Sequence, residues 1–181
     1  MEHNAKKISA TASSEASVSE QSSKTIWLCR AGCFAALVFV VTRFIQIPIP
    51  LGYFNVGNCV ILTGCLFFSA PYGIAAGAIG SALADLLSYP VYTVPTLLIK
   101  TLMPLVFYLI SSRNGKNKTA QTLAAAYIST LIPLFGYTIT GGILYGSFYT
   151  GLAQFPGLLL EYVANAILFT VAYPIARKVR P

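Results

Sequence analysis

The chain opens on a polar stretch and then alternates apolar runs with short polar breaks. Residues 1–24 are rich in Ser, Ala and Glu and carry no hydrophobic periodicity, so they read as a disordered tail. Six apolar runs follow, near 26–47, 57–70, 72–89, 94–111, 120–141 and 155–176. A helix needs roughly 20 apolar residues to cross a bilayer, and the runs read as six spans. The second is short and is expected to be tilted or partly re-entrant. The breaks agree with this division. Pro48-Ile49-Pro50-Leu51-Gly52 cannot continue a helix. Pro71 is placed to start the third helix, and Ser88-Tyr89-Pro90 to end it. Arg113 to Lys118 form a polar loop.

Composition makes the bilayer the solvent. Hydrophobic residues make up 56% of the chain and charged residues 9%, against about 25% charged in a soluble domain, and the mean hydropathy is +0.70. The reading is an all-α integral membrane protein with a six-helix domain over residues 25–181. The first run is too long for the h-region of a cleavable signal and lacks a small-residue cleavage site, so it should remain as a helix.

Charge then orients the domain. Ten of the twelve Lys and Arg residues lie in three polar stretches: Lys6, Lys7, Lys24 and Arg30; Arg113, Lys116 and Lys118; and Arg177, Lys178 and Arg180. Six spans put all three stretches on one side, which the positive-inside rule makes cytoplasmic, together with both termini. The opposite loops, near 48–56, 90–93 and 142–154, carry no charge. The net charge of +7 is therefore explained by topology, and no basic stripe or module points to nucleic acid.

Four charged residues break the pattern, because Arg43, Asp85, Lys100 and Glu161 lie inside apolar runs. A charge at the bilayer centre costs roughly 2.5–3.5 kcal/mol on insertion scales. The expected topology places all four in the outer half of the membrane. Two salt bridges that fix helix packing would account for them, and so would a polar cavity open to the outside. The neighbours favour the cavity. Thr93, Thr96 and Lys100 share one face of the fourth helix, and Glu161 and Asn165 are one turn apart on the sixth. Asn55 and Asn58 flank the start of the second run. Aromatics crowd the same side, Tyr53 and Tyr92 among them, where they can form an interfacial belt or stack on a planar ligand.

Small residues recur every four positions in the third helix, as Gly73, Gly77, Ser81 and Asp85 and as Ala76, Gly80 and Ala84. The first helix carries two overlapping pairs, Ala31 with Ala35 and Gly32 with Ala36. Such spacing serves close helix contact, within the chain or with another subunit. The four Cys have no metal-site company, since the single His is His3, and they read as packing residues. No phosphate-binding loop is present, and no His stands in the membrane domain to serve a hydrolase or a zinc protease. No cofactor is expected.

Four ordered segments carry a resemblance. They are Ala31-Gly32-Cys33-Phe34-Ala35; Ile47-Pro48-Ile49-Pro50 followed by Asn55-Val56-Gly57-Asn58; Gly80 to Leu87; and Tyr92 to Lys100. Together they resemble the substrate-binding S component of energy-coupling factor (ECF) vitamin transporters, nearest the riboflavin-type group. The chain has Asn58 where related sequences often have Asp, and Thr101 where they often have Gly. The resemblance implies an S-component-like bundle in a prokaryotic cell membrane. It implies capture of a vitamin or precursor of riboflavin, pyridoxine or thiamine-precursor type at the outer face, under the first outer loop. It also implies inward release with a membrane T component and two cytoplasmic ATPases, Ala31 and Ala35 facing the T component. The residues expected at the ligand are Arg43, Tyr53, Asn55, Asp85, Tyr92, Thr96, Lys100, Glu161 and Asn165. The other classes considered are a stand-alone carrier coupling protons through Asp85 or Glu161, and a membrane enzyme, for which no catalytic constellation appears.

Overall fold

The structure, a computed structural model, describes residues 2–49, 52–112 and 118–179. The expected polar loop lies outside the described residues as far as residue 117. Six α-helices and one hairpin make up the described chain: α1 (Glu2–Phe44), β1 (Gln46–Ile49), β2 (Gly52–Asn55), α2 (Gly57–Gly64), α3 (Ala70–Ser88), α4 (Thr93–Ser111), α5 (Lys118–Leu144) and α6 (Phe148–Val179). A single 3-10 turn, Pro90–Tyr92, leads into α4.

Five segments are long and apolar enough to cross a membrane: Gln21–Phe44, Ala70–Ser88, Pro90–Ser111, Lys118–Leu144 and Phe148–Val179. The second run, expected near 57–70 as a short, tilted or partly re-entrant span, forms α2, of only 8 residues. At 1.5 Å per residue that is roughly 12 Å of helix, well short of the ~30 Å hydrocarbon core. Its end has a local cause. Leu66 and Phe67 donate to the carbonyls of Thr63 and Gly64, at 3.1 and 2.9 Å, and these i to i+3 bonds tighten the chain into turns. The Phe34 ring packs where a side chain on Gly64 would stand, so this turn accepts only glycine. A second difference is at the N-terminus. α1 runs from Glu2 without a break at 24/25, through the stretch where the sequence pattern predicts disorder. Ala, Lys and Glu favour helix, and no Gly or Pro interrupts residues 1–24.

The remaining boundaries follow the punctuation. α1 stops four residues before Pro48, and Pro71 occupies the first turn of α3. The chain between α1 and α2 is a two-stranded antiparallel hairpin in which Gln46 pairs with Asn55 and Pro48 with Tyr53. Pro48 is tolerated because a two-stranded sheet consists only of edges.

The helices close into a ring. α1 packs on α3, α3 on α4, α4 on α5 and α5 on α6, and the short α2 fills the gap between α6 and α1. The core beneath the hairpin is built around Phe34, Val38, Leu62, Met103, Phe107 and Phe169. Both small-residue rows of α3 are buried within the bundle. At Gly80 the backbone of α3 lies directly against the Ala35 carbonyl and Val38 of α1, an approach that a larger residue would prevent.

Candidate substrate-binding site

Three of the four intramembrane charges meet under the hairpin. Asp85 from α3, Lys100 from α4 and Glu161 from α6 are each buried. Burial of ions is tolerated only with partners, and each has them. One Asp85 oxygen accepts from the Tyr53 hydroxyl of β2 and the other from the Thr96 hydroxyl of α4. The Thr96 hydroxyl also lies 3.0 Å from the Tyr137 hydroxyl of α5. Thr96 has one proton and gives it to Asp85, so Tyr137 is the donor of that bond. Burial first, and the Asp85 carboxylate after it, hold the Tyr53 phenol protonated, well above the usual tyrosine range.

The second half of the layer is organised by α2. The Lys100 ammonium donates to the side-chain oxygen of Asn58, and the Asn58 amide nitrogen donates to Glu161 at 2.9 Å. The Lys100 Nζ stands 5.7 Å from the centre of the Tyr137 ring, within cation–π range. Tyr137 thus touches both halves. Thr96 and Lys100 fall one turn apart on the inner face of α4, which is how a single helix serves both.

Asn165 has a different task from the one expected. Its side-chain oxygen accepts from the Cys59 backbone N–H at 2.8 Å, and its amide donates to the carbonyls of Asn55 and Glu161, each at 2.9 Å. Both its N–H donors are engaged by backbone. Asn55 likewise turns its side-chain oxygen onto the Gly57 N–H, at 2.8 Å. The two residues cap the first turn of α2 and hold it on α6, work that exposed helix termini require. Tyr92 is buried one layer out and accepts from Gln154 at 3.0 Å. Arg43 stands apart: it is half-buried in the last turn of α1, outside the hydrogen-bond network among the described residues.

The structure also brings in Tyr137 and Gln154, which the sequence reading did not put at the site, and makes Asn58, expected only as a neighbour of the cavity, the central bridge. A small cavity reaches this layer from between α5 and α6, lined by Asn58, Thr130, Leu134, Tyr137, Glu161 and Tyr162.

On α1 the two small-residue pairs separate. Ala31 is only 7% exposed and belongs to the core, which corrects its expected place on a partner-facing surface. Gly32 and Ala36 are exposed and Ala35 is half-buried. With Phe39 of α1 and Leu83 and Leu87 of α3 they line a shallow apolar groove on the outside of the bundle.

The helical bundle with a buried polar layer under a hairpin is a membrane-protein fold with a candidate binding site. The family comparison agrees and goes one step further. Residues 21–178 match the family model described as ECF-type riboflavin transporter, S component, and the chain belongs to that family. Members are multi-pass membrane proteins that serve transport as substrate-binding components; they are not enzymes. A curated relative from Pyrococcus woesei, described as an uncharacterized protein in gap 3'region, is 31% identical over 133 residues, covering 72% of this chain and 88% of its own. A solved S component of a bacterial ECF transporter superposes with a TM-score of 0.65 at 22% identity, over 86% of this chain and 97% of the other. That likeness is one of fold.

Proposed function

We propose that this chain is the substrate-specific subunit of an ECF-type importer and binds a vitamin of riboflavin type, with pyridoxine and a thiamine precursor as the other substrates considered. The observation that carries the reading is the buried layer of Asp85, Thr96, Lys100, Asn58 and Glu161, roofed by the β1–β2 hairpin. Such a layer is costly unless it works. It offers two carboxylate acceptors, an ammonium donor and the face of Tyr137, which suits a flat heterocycle with polar edges. Arg43, on the rim, is the remaining candidate contact.

ECF S components work with a T component and ATPases, and the same partners are proposed here. The groove beside Gly32, Ala35 and Ala36 is the proposed seat of the T component, because small residues let a partner helix approach closely. The cell membrane, with both termini cytoplasmic, is the proposed setting, from the distribution of Lys and Arg.

The test is direct. Protein purified in detergent is titrated with riboflavin, pyridoxine and a thiamine precursor, and co-purifying small molecules are identified by mass spectrometry. Saturable binding of one vitamin supports the reading. Binding of none, together with uptake in cells lacking T component and ATPases, favours a stand-alone carrier instead.

A further inference from the structure

We infer that the Tyr53 hydroxyl holds, at Asp85, the place that a hydrogen-bond donor of the ligand takes, so that hairpin and ligand compete for one carboxylate. The inference rests on the polar layer being the ligand site.

The geometry distinguishes the two donors on Asp85. Thr96 is fully buried on α4 and is itself held by Tyr137, so its bond is a permanent part of the bundle. Tyr53 comes from a two-stranded hairpin, is only half-buried, and leans its ring on Tyr89 at 5.5 Å between centres. A two-stranded hairpin has little stability of its own. The Asp85–Tyr53 bond is therefore the exchangeable one.

Space demands the exchange. The cavity that reaches the layer has an empty volume of about 180 Å³, its open mouth included. Pockets for drug-sized ligands run to about 300–1,000 Å³. A vitamin enters only if something moves, and among the described residues the hairpin covers the Asp85 half of the layer without being part of the helical ring. Lifting it strips Asp85, 4% exposed, of one of its two donors. A buried carboxylate left short of a donor is expensive. The ligand must then present an N–H or O–H to that oxygen. An anionic group at that edge is excluded by the carboxylate, whereas an uncharged imide, amide or hydroxyl edge fits. Substrate class is thereby set by what Tyr53 itself is, a neutral donor on a flat ring.

The experiment compares wild type, Tyr53→Phe and Asp85→Asn in detergent, with riboflavin as the probe. Two quantities are read: the riboflavin dissociation constant, and amide hydrogen exchange at residues 52–55 without ligand. Tyr53→Phe keeps the ring and removes the competitor. It should bind riboflavin about tenfold more tightly, the size of one hydrogen bond, and its hairpin amides should exchange faster. Asp85→Asn should also speed exchange but weaken binding. Wild-type binding with a weaker Tyr53→Phe makes Tyr53 a direct ligand contact and overturns the inference alone. Unchanged exchange in Tyr53→Phe does the same. Wild-type protein that binds no riboflavin overturns the inference together with the riboflavin reading.

Discussion

Lys100 on α4 and Glu161 on α6 are joined through a single side chain, the amide of Asn58, which accepts from the ammonium and donates to the carboxylate. An amide between two opposite charges satisfies both and lets either be taken over by a third party. A direct salt bridge would have no such opening. The arrangement also ties two helices to α2, which carries Asn58.

Lys100→Met tests whether the charge serves a ligand. The methionine stem fills most of the same volume, but Asp85 and Glu161 lose the buried cation between them, so stability should fall as well. Riboflavin affinity should fall more than about tenfold, as expected for a charged hydrogen bond, alongside a lower melting temperature. Unchanged affinity with a clear drop in melting temperature would show that the charges serve packing only.

Asn165→Leu should act in the opposite way. It leaves the Cys59 N–H and the Asn55 carbonyl unpartnered in a buried place. The cost should be about 1–3 kcal/mol per stranded group. Denaturation in a mixed-detergent series should show the loss of stability, and the Cys59 amide should exchange faster. A stable variant with weak ligand binding would return Asn165 to the list of direct contacts.

Two tryptophan substitutions five residues apart on α1, on different faces, separate partner surface from core. Ala36→Trp projects from the bundle and should leave folding and riboflavin binding intact while preventing co-purification with a T component. Ala31→Trp overpacks the core and should destabilise the chain itself. Equal loss of fold in both would remove the groove as the proposed docking face.

Tyr137→Phe keeps the ring over Lys100 and deletes the donor to Thr96. Affinity should drop by the net value of one neutral hydrogen bond, about 0.5–1.5 kcal/mol. Tyr137→Leu, which also removes the ring, should cost distinctly more. Isothermal titration with both variants decides between a hydroxyl role and a ring role; equal losses would discount the ring.

Much of the fold was legible because lipid makes simple demands. Long apolar runs, prolines at their ends and the rows of small residues on α3 each have one physical meaning in a bilayer, and the five long helices follow them. The α2 segment was misjudged in length because its apolar residues continue through Cys65, Leu66 and Phe67 after the helix has tightened into turns. The tightening shows only in the i to i+3 bonds of Leu66 and Phe67, which hydrophobic periodicity does not distinguish from a continuing helix. Asp85, Lys100 and Glu161 were found by charge type and do meet. Arg43, found by the same criterion, does not join them: half-buried in the last turn of α1, it stays outside the hydrogen-bond network among the described residues. Tyr137 was missed because a tyrosine in an apolar helix looks like packing. The available signal was its alignment with Thr130 and Pro133 on one face of α5.

The ring order has a bearing on biogenesis. α2 leaves the ribosome early, yet the groups that cap and hold it, Asn165 and Glu161, belong to α6, made about a hundred residues later. Until α6 is inserted, the young chain carries a half-length helix with its polar first turn unprovided for. The polar layer is thus complete only once α6 is in place, and a chain truncated before α6 would present quality-control machinery with an exposed Asn58 and Lys100.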